Sequence, residues 1–194
     1  NTRENVGLFE LSPFAKYELK GETVHDELQK ICTANIKKDF GKCTYTQMLN
    51  HDGGIETDLT VVNIGENTFR IITAAANRVH DKFHIEKYLS KNVELIDVTD
   101  DYCVLGVFGP KSIDLMKDLS NDDYSNVNFK FSTAKHVTID KTTVWAQRLS
   151  YVGELGFELY IKKNEAKAIY NLIVEKGKNY QLSHCGMHAM DIMR

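Results

Sequence analysis

From Gly54 to Val62 apolar and polar residues alternate, with Ile55, Thr57, Leu59 and Val61 on one side and Glu56 and Asp58 on the other. A period of two predicts a half-buried strand. Gly65-Glu66-Asn67 turns the chain, Thr68–Thr73 returns as a second strand, and Val79, Phe83 and Leu89 then mark a helix. A later stretch follows the same order. Thr143–Leu149 and Phe157–Ile161 read as strands, and Ala166, Ile169, Tyr170 and Ile173 fall at helical spacing behind them.

The two stretches are related by a shift of 88 positions, which carries Tyr17, Leu19 and Gly21 onto Leu105, Val107 and Gly109, and Leu28 and Ile31 onto Met116 and Leu119. The same shift carries Gly65-Glu66 onto Gly153-Glu154, Phe69 onto Phe157 and Ile71 onto Leu159. A repeat of this length suggests duplication; the competing explanation is weak similarity between two common sheet-and-helix units. The expected fold class is α+β, with two related antiparallel-sheet-plus-helix units, residues 1–98 and 99–194. Such units would sit around a pseudo-twofold axis, and a shared central cleft there is a natural ligand site.

Composition narrows the function classes. The chain has 194 residues, 42% apolar and 26% charged, enough for real cores and unlike disordered chains. A net charge of −3 argues against nucleic acid as a partner, because such binding draws on phosphate neutralisation by basic surfaces. Apolar stretches such as Cys103–Phe108 are too short to span a bilayer, so no membrane partner is expected. Cys32, Cys43, Cys103 and Cys185 lack paired spacing and read as reduced thiols of the cytoplasm, or alternatively the mitochondrial matrix.

Candidate chemistry centres on carboxylates in strands. Aspartate is a poor strand residue, so Asp58 is either part of a solvated face or a carboxylate held rigidly beside a ligand, able to handle a proton or stabilise a cation. Glu158 shares its strand face with Tyr160, after the run Tyr151 to Gly156. It too reads either as surface or as a binding group, since a carboxylate beside aromatic walls suits a flat heterocycle with two N–H donors on one edge. His80 and His84 lie four apart but are followed by Asp81 where a zinc protease needs glutamate, and His184, Cys185 and His188 define no metal geometry, so no metal is expected. Phosphate-binding glycine loops and serine-hydrolase elbows are lacking. Trp145, in a predicted strand, is most simply core.

Val6 to Ser12, Tyr45 to Asn50, Gly53 to Val61 and Tyr151 to Tyr160 together resemble the folate-binding aminomethyltransferase family, that of the glycine-cleavage T-protein. The motifs most resemble the C-terminal part of sarcosine and dimethylglycine dehydrogenases, and the similarity runs over essentially the whole chain. The resemblance implies a tetrahydrofolate cofactor, Asp58 as catalytic carboxylate, Glu158 on the pterin edge, and Tyr151, Met48 and Leu49 lining the folate pocket. It further implies a small amine or iminium substrate, with FAD expected only in a separate flavin domain of a longer chain that also continues beyond Arg194. Met190 stands where T-proteins carry arginine, which leaves the partner of the folate tail unassigned. The implied activity is transfer of a one-carbon unit from an amine or iminium to tetrahydrofolate; the alternative is a non-catalytic folate-binding regulatory or assembly module of the same fold.

Overall fold

A computed structural model describes all residues, 1–194. Its elements are β1 (Gly7–Glu10), β2 (Ala15–Lys20), α1 (Val24–Ile31), β3 (Cys43–Leu49), β4 (Ile55–Gly65), β5 (Thr68–Thr73), α2 (Arg78–Glu86) and β6 (Glu94–Asp97). They continue with β7 (Tyr102–Phe108), α3 (Ser112–Leu119), β8 (Ala134–Ile139), β9 (Thr142–Gln147), β10 (Gly156–Lys162), α4 (Ala166–Gly177), β11 (Ser183–Cys185) and α5 (Met187–Met193). The class is α+β, and the chain divides into two compact units, one of residues 13–100 and one of residues 1–12 with 101–194.

In the unit of residues 13–100 five strands form an antiparallel sheet in the order β3-β4-β5-β2-β6. Alternation puts Tyr17, Leu19, Leu59, Val61, Phe69 and Ile71 on one face, where they form a core with Val24 and Leu28 of α1 and Ile85 of α2. Glu27 ties α1 down by accepting hydrogen bonds from the Ser90 N–H and hydroxyl, each 2.7 Å, and from Thr23. Helix α2 occurs where its apolar residues predict it, but with a different face inward. Val79 and Phe83 are 83% and 71% exposed, whereas Asp81, His84 and Ile85 are buried. Burial of Asp81 is tolerated because Thr57 donates to it at 2.8 Å and His80 contacts its other oxygen at 2.9 Å.

The unit of residues 1–12 and 101–194 carries six strands in the order β11-β1-β7-β10-β9-β8, antiparallel except for the β1–β11 pair. Leu105, Val107, Phe157, Leu159 and Ile161 pack under Leu115, Met116 and Leu119 of α3 and Ile169 and Ile173 of α4. Here β1, from the start of the chain, lies between β7 and β11, whereas in the other unit β2 pairs directly with β6.

The internal repeat extends through the whole fold. Shifted by 88, α1 falls end to end on α3, β5 falls within β10, and α2 and α4 begin together. Glycine recurs after the first strand of each repeat where the backbone of another segment comes close, and Gly109 in addition takes a φ of +129° that disfavours any side chain. A Cβ on Gly21 would come within 2.3 Å of the Asn92 carbonyl oxygen, and one on Gly109 within 2.2 Å of that of Asn5. The repeats differ in their hairpins, because residues 66–67 connect β4 to β5 while the longer segment 148–155 connects β9 to β10.

Candidate functional site

Asp58 lies on β4 with its side chain opposite to the core-facing Thr57 and Leu59, and it is exposed. The neighbouring strand β3 supplies its surroundings. Gln47 stands directly across the ladder, and Tyr45, one pair further along the same face, donates its hydroxyl to Asp58 Oδ2 at 2.7 Å. On the same face, Glu56 meets His80 Nε2 at 3.2 Å, and His80 reaches back to buried Asp81. That contact with Asp81, reinforced by Glu56, raises the His80 pKa above the ordinary imidazole value. His84, stacked 6.4 Å from His80, is shifted down by burial. The strand bearing Asp58 is therefore fixed to α2 through Glu56, Thr57, His80 and Asp81.

Glu158 lies on β10, half-buried, on the sheet face opposite to the helices of its unit. Tyr160 donates its hydroxyl to Glu158 Oε2 at 3.0 Å. Gln147 of β9 stands directly across from Glu158 on one side and Gly106 of β7 on the other. Gly106 has no side chain because the Phe108 ring lies over it. A Cβ there would sit 2.6 Å from Phe108 Cζ and 3.1 Å from a Leu11 methyl. Phe9, Phe108, Trp145 and Tyr160 share this face, so the carboxylate is set among aromatic rings, two of them, Phe9 and Phe108, 5.2 Å apart. Trp145 is buried, as its strand position leads one to expect.

The remaining candidates take varied positions. Tyr151 is half-buried in the segment between β9 and β10, with the Arg194 guanidinium 4.7 Å over its ring. Arg3 anchors that segment, donating to the Val152 carbonyl at 2.7 Å and pairing with Glu154 at 2.9 Å. Leu49 is 37% exposed beside a bulge, whereas Met48 is fully enclosed in the core with Leu28 and Leu59. Met190 is also fully enclosed. His184 meets the Tyr170 hydroxyl at 2.9 Å while Cys185 meets Thr2, so neighbours in sequence turn to separate partners.

Residues 1–194 match the family described as the GCVT N-terminal domain. The chain belongs to this family. It is 33% identical over 193 residues to 4-methylaminobutanoate oxidase (formaldehyde-forming) of Paenarthrobacter nicotinovorans, covering 99% of this chain and 23% of that protein. It is likewise 33% identical over 194 residues to mitochondrial dimethylglycine dehydrogenase of Rattus norvegicus, covering 98% of this chain and 22% of the relative. The chain thus spans less than a quarter of the length of these relatives. The crystal structure of glycine cleavage system aminomethyltransferase T from Bartonella henselae superposes with a TM-score of 0.84 at 22% identity, covering all of this chain and 51% of that one, and shows the shared fold. No helix of this GCVT-family chain is long and apolar enough to cross a membrane.

Two contributors to these sites escape a reading of the sequence by pattern. Tyr45 belongs to a motif that the sequence displays, yet its bond to Asp58 depends on the register of β3 against β4. Gln147 carries no local signal, since only the fold encloses it.

Proposed function

We propose that this chain is a tetrahydrofolate-binding, aminomethyltransferase-type module that moves a one-carbon unit from an amine or iminium to tetrahydrofolate. The observation that carries the reading is the setting of its two strand carboxylates, in a chain of the GCVT N-terminal domain family. Asp58 is oriented by a tyrosine hydroxyl on a braced strand, and Glu158 is set among aromatic rings beside an amide with no partner. The names of the relatives, an oxidase of a methylated amine and a dimethylglycine dehydrogenase, support an N-methyl amine as the source of the carbon. A flavin domain elsewhere in a longer protein would perform that oxidation.

The donor set fits a pterin. Glu158 accepts from two adjacent N–H groups on one ring edge, a bidentate arrangement that both binds and orients. Tyr160 holds the carboxylate for that contact, and the buried rings of Phe9, Phe108 and Trp145 wall in the half-buried carboxylate. Tetrahydrofolate supplies the nucleophilic nitrogen. Asp58 stabilises positive charge on the iminium, takes up the proton that the attacking nitrogen loses and returns it to the donor amine nitrogen, with Tyr45 keeping the carboxylate aligned. The bond from that amine nitrogen to the transferred carbon then breaks, and the free amine departs. Fixing the nucleophile is the larger part of the gain, because a bimolecular encounter becomes a local one.

The test is a comparison of Asp58→Asn with wild type in two assays, calorimetric binding of tetrahydrofolate and formation of methylene-tetrahydrofolate from an iminium donor. Binding retained with transfer abolished supports the catalytic assignment. Equal transfer rates reject it, and a wild-type chain that does not bind tetrahydrofolate rejects the function as a whole.

A further inference from the structure

Gln147 ends β9 fully enclosed, and neither its amide nitrogen nor its amide oxygen has a hydrogen-bond partner. An amide buried in that state is destabilising, since it has lost water and gained nothing in return. The fold does not require it. In the repeat the ladder places Val62 opposite Arg70 as it places Gln147 opposite Glu158, and Val62 is equally enclosed and apolar. On the far side of these strands the repeats diverge as well. Arg70 faces Glu18 and pairs with it at 2.6 Å, whereas Glu158 faces Gly106.

A residue that weakens the fold, at a position where its counterpart is aliphatic, calls for a ligand. Gln147 and Glu158 are direct cross-strand neighbours on one face, with Cβ atoms about 5 Å apart. Because the amide has no partner to give up, turning it toward Glu158 costs no hydrogen bond. A carboxylate offers two acceptors, and the adjacent amide nitrogen adds a donor. Read along a ring edge, that set complements two neighbouring N–H groups followed by a carbonyl oxygen, the edge of a 2-amino-4-oxo-pyrimidine ring.

We propose that Gln147 donates its amide N–H to the 4-oxo group of the bound pterin, completing with Glu158 the set of polar partners along that edge of the ring. The assignment rests on the reading of Glu158 as the group that holds the adjacent N–H pair.

The experiment is titration of wild type, Gln147→Met and Gln147→Leu with tetrahydrofolate and with its 4-deoxy analogue, which lacks the 4-oxo group, alongside thermal melts without ligand. Loss of the hydrogen bond should weaken tetrahydrofolate binding about tenfold, while the 4-deoxy analogue, which offers the amide neither donor nor acceptor at that position, should lose little. Both variants should melt at or above wild type, because an orphaned polar group has been removed. Unchanged tetrahydrofolate affinity in the variants, or equal weakening of both ligands together with lower melting, overturns the assignment. Glu158→Ala separates the two claims. If it loses tetrahydrofolate while Gln147→Met does not, only the role of Gln147 fails; if Glu158→Ala binds like wild type, the underlying reading fails with it.

Discussion

The Tyr45 hydroxyl donates to Asp58 Oδ2 across 2.7 Å, from a strand that pairs directly with the one carrying the carboxylate. A strand-to-strand bond of this kind sets the direction of the carboxylate without burying it. Tyr45→Phe keeps the ring and deletes the donor. Transfer to tetrahydrofolate should fall about tenfold, the worth of one hydrogen bond to a charged group, while tetrahydrofolate affinity holds. Single-turnover rates and calorimetry on the same preparation check the split, and an unchanged rate would remove Tyr45 from the account.

Glu158 and Tyr160 should separate in a similar way. Glu158→Ala removes both acceptors and is expected to weaken tetrahydrofolate binding by about a hundredfold, whereas Tyr160→Phe removes only the group that orients them and should cost about fivefold. Quenching of Trp145, across the ladder from Tyr160, offers a direct readout of the titration. A Tyr160→Phe effect as large as that of Glu158→Ala would mean that the tyrosine itself touches the ligand.

How far these sites are legible in the sequence depends on how local their causes are. Strand β5 falls on Thr68–Thr73 as its alternation predicts, and the side of the strand on which Asp58 and Glu158 stand follows from the same period of two. Helix α2 shows where that logic stops. Val79 and Phe83 look like the inward face, but Asp81 and His84 occupy it, because a buried carboxylate satisfied by Thr57 and His80 looks in sequence like any surface aspartate.

Pairings between distant segments leave even less trace. Nothing in Gly7–Glu10 announces that it will lie between β7 and β11, so that residues 1–12 group with residues 101–194. The enclosure of Gln147 is of the same kind: alternation assigns its face, and only the assembled sheet shows an amide without a partner.

The histidines of α2 should give opposing pH dependences. His80 has a raised pKa in the folded chain, from Asp81 first and Glu56 as well, so its contribution to stability is fully present below about pH 6.5 and is lost as pH rises through the raised value. His84 is lowered by burial, so its contribution is present above about pH 6.5 and is lost as pH falls toward the lowered value. In wild type the two partly cancel. His84→Gln should leave a stability that declines as pH rises through neutrality, and His80→Gln one that declines as pH drops below about 6.5. Urea denaturation from pH 5 to pH 8 reads both slopes, and parallel profiles for the two variants would contradict the assignment.

Gly106 provides a test of how the aromatic face is built. Its strand lies between β1 and β10 inside the sheet, and an added Cβ would meet the Phe108 ring at 2.6 Å, with a Leu11 methyl at 3.1 Å behind it. Phe108 is fully enclosed, so its ring has no open space into which to swing. Gly106→Ala should therefore destabilise the chain by roughly 2 kcal/mol, the usual effect of overpacking. Any displaced ring stays next to Glu158, directly across the ladder from the new methyl group, and tetrahydrofolate binding should weaken more than the loss of stability explains. Gly21→Ala is the control. A Cβ there meets the Asn92 carbonyl at 2.3 Å and is equally disruptive to the fold, but it stands at a strand end in the other repeat. Measured at ligand concentrations that saturate wild type, and under conditions where both variants remain folded, only Gly106→Ala should show reduced occupancy. Equal occupancy in the two variants would mean that the packing of Phe108 over Gly106 has no effect on the Glu158 carboxylate across the ladder.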